Sequence, residues 1–202
     1  MFRTVRRLSL ALMLALLGAC TQLPTRAPGT WQPPDWSAWS LHGRIAVHAG
    51  EQGWHAGLNW RQAGDIYHVE LTGPLGQGAV RMDGGPDGVS LLRADGVRDW
   101  ASDADDLLVR HTGWTLPVSG LRYWVQGRAV PERPARWERD SDGRPLYLHQ
   151  DGWDIRYSAY QDQPGRAPLP KRMDLEREGI RARLLIDAWN GPAAARDRNG
   201  DG

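Results

Sequence analysis

Apolar and polar residues alternate with a period of two in short segments along most of the chain, each bounded by Gly, Asp or Pro. Successive side chains on a strand point to opposite faces, so this spacing predicts half-buried β-strands. Leu41, Gly43, Ile45 and Val47 share one face of a first strand, with His42, Arg44 and His48 on the other. Trp54, Ala56, Leu58 and Trp60 repeat the pattern in a second strand, and Tyr67, Val69 and Leu71 in a third. Shorter runs at Ala79 to Asp83, Val89 to Arg93 and Val97 to Trp100, punctuated by Gly84-Gly85 and Asp95-Gly96, complete an antiparallel meander.

The alternation then breaks. Ser102-Asp103-Ala104-Asp105 reads as a capping box, and Leu107, Leu108 and Gly113 fit a short helix with a Gly stop. A second short helix is predicted over Leu121 to Gln126, closed by Gly127. Strands resume at Ala135 to Arg139, Leu146 to Gln150, Trp153 to Tyr160, Met173 to Arg177 and Ile180 to Ala188. Asp142-Gly143, Asp151-Gly152 and Glu178-Gly179 supply hairpin turns between them. About eleven strands with helices in mid-chain make the class α+β, with a mostly antiparallel sheet. Trp153, Ile155 and Tyr157 share one face, as do Ile180, Ala182, Leu184, Ile186 and Ala188, so only one side of the sheet is apolar. Two short helices are too small to cover that side fully. Curling over a residual apolar cavity and filling as a barrel both satisfy the pattern.

Composition narrows the partners. With a formal net charge of +1 and no Lys/Arg block beyond the first residues, the chain has no field for nucleic acid. Trp outnumbers Tyr and Phe, at 11 against 5 and 1. A buried indole needs an acceptor for its N–H, so this richness points to broad, partly wet apolar surfaces, unless it reflects genome bias alone.

The only cysteine is Cys20, which excludes an intramolecular disulfide and any Cys-based zinc site. Arg3, Arg6 and Arg7 precede an apolar run, Leu8 to Leu17, too short to span a bilayer as a helix, which together read as an export signal over residues 1–19. Leu17-Gly18-Ala19-Cys20 resembles the bacterial lipobox, which implies lipid attachment at Cys20; the alternative is an ordinary signal peptide with an incidental Cys. Thr21 follows, and by analogy with Gram-negative sorting the absence of Asp there favours the outer membrane. Residues 20–36, rich in Pro, Gly and Thr, are expected to form a tether, residues 37–190 the folded domain, and residues 191–202 a disordered polar tail.

From Leu41 onward, Gly43-Arg44-Ile45-Ala46-Val47, Trp60-Arg61-Gln62, Gly73-Pro74-Leu75-Gly76 and Gly113-Trp114-Thr115-Leu116-Pro117-Val118 occur in an order that resembles the LolB family. Leu121-Arg122-Tyr123-Trp124-Val125 and Leu169-Pro170 continue it. The resemblance implies an incompletely closed antiparallel β-barrel with a helical lid over a hydrophobic cavity. It also implies an outer-membrane, periplasm-facing receptor that accepts acylated lipoproteins from a LolA-type periplasmic carrier and inserts them into the membrane. In the family, an exposed apolar residue in the loop after the third strand is needed for insertion, and the matching position here is Leu75, in the loop of Gly73, Pro74, Leu75 and Gly76. Pro and two Gly give that Leu no local partner, although a loop folded back on the sheet is the alternative.

For the acyl chains, the apolar faces carrying Trp54, Leu58, Trp60, Leu71, Ile155, Tyr157, Leu184 and Ile186 are expected to line one cavity, since they lie on matching alternation phases. No Walker-type loop, Gly-x-Ser-x-Gly or His-Glu-x-x-His occurs. His42, His48, His55 and His68 fall on polar strand faces, and Asp103, Asp105 and Asp106 sit at a helix start, where the macrodipole accounts for them. The expectation is therefore a monomeric non-enzyme with no metal and no cofactor beyond the covalent lipid. A structural lipoprotein scaffolding an outer-membrane assembly is the rival reading, separated from the first by whether a lipid-sized cavity exists.

Overall fold

Eleven strands form one antiparallel sheet in the computed structural model, which describes residues 31–74, 78–113 and 116–192. In chain order they are β1 (Ala38–Ala49), β2 (Gln52–Ala63), β3 (Ile66–Thr72), β4 (Val80–Gly85), β5 (Gly88–Arg93) and β6 (Arg98–Ala101), then β7 (Ala135–Arg139), β8 (Pro145–Gln150), β9 (Trp153–Gln163), β10 (Arg166–Arg177) and β11 (Ile180–Asn190). Between β6 and β7 lie α1 (Ala104–Thr112) and α2 (Val118–Trp124). The spatial order is β6-β5-β4-β3-β2-β1-β11-β10-β9-β8-β7. Each half of the chain is a simple meander, and the two halves join where β1 pairs with β11. β6 and β7 do not pair, so the curled sheet stays open, as the resemblance implied and as the alternation alone left undecided.

Antiparallel alternation sorts the turns into two sets. The β2–β3, β4–β5, β7–β8 and β9–β10 turns lie at one end, where the chain also enters β1 and leaves β11; we call this the entry end. The β1–β2, β3–β4, β5–β6, β8–β9 and β10–β11 turns lie at the other. Two of the turns follow the expected chemistry closely: Asp151 and Gly152 have φ of 54° and 76°, and Glu178 and Gly179 have 32° and 81°. Positive φ at both central residues is the twist-compatible hairpin geometry.

Period-two burial holds through β1, where Leu41, Ile45 and Val47 are buried and His42, Arg44 and His48 exposed. Gly43 sits beside a register shift against β11, and a Cβ there would lie 2.3 Å from the Leu185 carbonyl oxygen. Only a residue without a side chain permits that backbone approach.

Three features depart from the sequence reading. The helix cap is Asp103 and not Ser102: its carboxylate accepts from the Asp105 and Asp106 N–H groups, and Gly113 ends α1 in the left-handed region at φ 75°. Asp105 is thereby released to accept from the Ser119 hydroxyl at 2.8 Å, which clasps α1 to α2. The tenth strand begins at Arg166, well before Met173, because irregularities between Arg166 and Leu169 and between Pro170 and Arg172 accommodate Pro168 and Pro170. Finally, the stretch from Trp31 to Trp36, assigned to the tether on its prolines, packs on the domain. Trp31 is buried, its backbone N–H reaches the Asp142 carbonyl at 3.0 Å, and its ring meets Tyr160 edge-on.

The prolines and the indoles explain each other. Carbonyls of Pro168 and Pro170 accept from the Trp31 and Trp189 indole N–H groups at 2.9 and 3.0 Å. Buried Gln62 and Gln150 accept from Trp60 and Trp124 at 3.0 and 2.8 Å. A buried N–H left unpaired would cost about 1–3 kcal/mol, so these acceptors let a Trp-rich interior close.

Candidate functional site

The inner faces of the strands do not fill the whole space under the helices. A cavity of about 590 Å³ remains at the end opposite the chain entry. Its walls come from Val47, Trp54, Leu71, Val80 and Leu91 of the sheet, with Leu108 of α1 and Leu116 beyond it. Gly78, Ala79, Ala94 and Asp95, in the β3–β4 and β5–β6 turns, complete the mouth. The sequence places it there for local reasons. Small residues at 78, 79 and 94 leave the rim low, and α1 runs from the entry end so that its apolar side, Leu107 and Leu108, lies against β5 and β6.

The polar groups at the cavity are held in pairs. Arg93 meets Asp95 at 2.7 Å. His111, in the last turn of α1, contacts Asp99 at 2.9 Å, and Arg110 reaches the same carboxylate at 3.0 Å. The His111 hydrogen bond, then the Trp100 N–H, hold the Asp99 carboxyl below its ordinary range. Arg110 also donates to the Trp100 carbonyl at 2.9 Å, which covers part of the free β6 edge. No group of three or more His, Cys, Asp or Glu suited to a metal occurs among the described residues. An apolar chamber with a few fixed polar groups at its rim can bind an extended hydrocarbon, and its volume is in the range of about 300–1,000 Å³ usual for small-molecule pockets.

The eight residues expected to line a common cavity all lie on the inner side, but the structure divides them. Trp54 and Leu71 border the chamber. Trp60 borders a separate cleft of about 490 Å³ beside α2, with Tyr67 and Tyr123. There burial, with the charges of Asp103 and Asp105, pushes the Tyr67 phenol up to about 12. Leu58, Ile155, Tyr157, Leu184 and Ile186 are closed into the packed core. Trp124 accounts for part of that closure: it is fully buried, and its carbonyl accepts from the Tyr157 hydroxyl at 3.0 Å. Strand phase gives the face a residue occupies but not the level along the strand at which helices fill the interior. Val47 and Leu91 were legible by phase; Arg93, Leu108, His111 and Leu116 carried no signal that would separate them from ordinary surface or core residues.

Gly73 and Pro74 follow β3 and border a shallow groove on the outer face with Arg44, His55 and Arg183. Leu75 and Gly76, the rest of the expected insertion loop, lie outside the described residues, as does Cys20. His42, His48, His55 and His68 are exposed on the outer face.

A family model described as "Outer membrane lipoprotein LolB" matches residues 37–189. The chain belongs to the LolB family. Among its relatives, the outer-membrane lipoprotein LolB of Nitrosococcus oceani is 40% identical over 195 residues, covering 91% of this chain and 96% of its own. The LolB of Pseudomonas putida is 34% identical, covering 88% and 92%. Solved structures give the fold. A lipoprotein-sorting protein domain from Vibrio parahaemolyticus superposes with a TM-score of 0.53 at 8% identity, over 81% of this chain and 91% of that one. A LolA superfamily protein from Nitrosomonas europaea gives 0.51 at 12% identity, over 79% and 88%. This LolB-family chain, with its open eleven-stranded sheet, thus shares its fold with that LolA superfamily protein.

Proposed function

We propose that this LolB-family domain receives acylated proteins from a LolA-type periplasmic carrier, holds acyl chains in the cavity bordered by Trp54 and Leu71, and inserts them into the outer membrane. The observation that carries the reading is an apolar chamber opening at the end of the sheet where the Gly73–Gly78 connection leaves β3. Exposing an acyl chain to water costs about 0.8 kcal/mol per CH2. A chain of about fifteen methylenes therefore cannot cross water in quantity, and direct passage from one apolar site to the next removes the barrier. No nucleotide is needed, because net direction follows from increasing affinity along the route.

Cys20 is the lipid attachment site in this reading, and Leu75 is the residue that enters the bilayer. Palmitate labelling tests the first: it disappears in Cys20→Ala, and label that persists there refutes the assignment. The second is tested with Leu75→Glu in a two-stage assay, cargo counted first on the receptor and then in vesicles. An acidic side chain entering hydrocarbon costs on the order of 2.5–3.5 kcal/mol, so receipt is retained and delivery falls. Normal delivery by Leu75→Glu, or lost receipt with delivery intact, refutes the wedge role.

A further inference from the structure

The two ends of the sheet have different duties. The chain enters at one end: Trp31 is fixed there by the Asp142 carbonyl in the β7–β8 turn and the Pro168 carbonyl at the start of β10, and Ser37 accepts from the Gly64 N–H in the β2–β3 turn. The cavity opens at the other, through Leu71, Gly78, Ala79, Ala94 and Asp95. A domain held close to the bilayer by the chain preceding Trp31 therefore stands with its mouth turned away from that bilayer. Such a pose suits receipt from a soluble carrier and prevents delivery.

Distance decides whether the mouth can reach the anchoring membrane. β1 runs twelve residues between the two ends. At about 3.3 Å per residue and a barrel-like tilt of about 40°, the ends stand roughly 28 Å apart. From Cys20 to Trp31 there are eleven residue steps. Each spans at most about 3.6 Å, giving a reach of up to about 40 Å. That reach exceeds the height of the domain.

We propose that the segment between Cys20 and Trp31 is long enough to let the domain turn end over end, so that one mouth meets the carrier in the upright pose and the anchoring bilayer in the inverted pose. This rests on the reading of Cys20 as the lipid attachment site and of the cavity as the acyl-chain site. The number of residues in the segment, not their identity, is what delivery requires. It also follows that an upright domain can reach a facing membrane more easily than its own.

The test uses the full lipidated protein, loaded with acylated cargo and reconstituted in vesicles, with cargo-free acceptor vesicles added. Deleting residues 22–28 keeps Thr21 beside Cys20 and leaves four residue steps to Trp31. The remaining reach is about 14 Å, half the height of the domain. Because a linker that cannot span its sites loses almost all effective concentration, delivery into the protein's own vesicle falls at least about tenfold, while receipt and delivery to the acceptor vesicles persist. Replacing residues 22–28 one for one by Gly and Ser restores delivery to the own vesicle. Three results overturn the proposal: undiminished own-vesicle delivery after the deletion, failure of the Gly/Ser replacement to restore it, or loss of delivery to both vesicle populations while soluble Cys20→Ala protein still delivers. Failure of the soluble protein to deliver to any vesicle overturns the transfer reading itself, and this proposal with it.

Discussion

Leu184 and Leu71 lie on the same inner side of the sheet but face different surroundings, and truncating each to Ala separates a packing residue from a cavity residue. Leu184 is 1% exposed, flanked in register by Ile45 and Met173, both buried. Leu71 is 5% exposed, pairs with Leu58 and Val80, and borders the open chamber. Each truncation removes three carbons, a transfer loss of about 2.4 kcal/mol. At Leu184 the surrounding core cannot collapse, so a cavity contribution raises the total to about 3–5 kcal/mol. At Leu71 the vacated space joins one that already exists, and the loss stays near or below about 2.4 kcal/mol. With about 2–4 °C per kcal/mol for a domain of this size, Leu184→Ala lowers Tm by roughly 10 °C and Leu71→Ala by roughly 6 °C or less. Thermal melts give these shifts, and displacement of a fluorescent fatty acid gives affinity on the folded protein. Leu71→Ala weakens probe binding and Leu184→Ala does not. Equal stability losses together with unchanged affinity in both proteins would refute the division of the inner face.

Gly43→Ala brings a Cβ to 2.3 Å from the Leu185 carbonyl oxygen, whereas Gly57→Ala meets nothing nearer than 3.7 Å. The first should cost about 1–3 kcal/mol and raise amide exchange along β1 and β11, with the second near neutral; equal urea midpoints would refute the close-approach argument. Trp31→Ala removes a buried indole and should cost about 3 kcal/mol or more, a loss that residues acting only as a tether would not show. Asp105 provides a pH test. Burial, more than the opposing Ser119 hydrogen bonds, raises its carboxyl above the ordinary 3.8. Its contribution is therefore present below 3.8 and lost as pH rises through the higher folded value. Asp99 and Asp154 are lowered, chiefly by hydrogen bonds from His111 and from Tyr147, and their contributions are lost only as pH falls from 3.8 through the folded values. Asp105→Asn should flatten the stability slope above 3.8 and leave the slope below it; an unchanged slope above 3.8 would contradict the assignment.

Much of the fold was legible because period-two burial and turn chemistry are local signals. β1 to β3 and β7 followed directly from alternation, and Glu178-Gly179 marked a hairpin because two successive positive φ values are hard for most residues. Alternation marks β10 only from Met173 onward; upstream, bulges admit Pro168 and Pro170, whose carbonyls accept from the Trp31 and Trp189 indoles, partners that no local pattern reveals. The role of Trp31 was hidden for the same reason: its acceptor lies 137 residues away. At the site, phase found the inner side, but the division between chamber and core depends on where Trp124 and α1 fill the curl. No strand pattern encodes that.

Occupancy of the chamber by an acyl chain is the central claim, and photocrosslinking measures it directly. A lipopeptide cargo bearing a diazirine near the end of one acyl chain, loaded on the folded domain, is irradiated and the adducts are mapped by mass spectrometry. Adducts at Trp54, Leu71, Leu91 and Leu108, reduced by competing fatty acid, are the expected result. Adducts confined to the outer face, around Arg44, His55 and Arg183, or spread without competition, would contradict it.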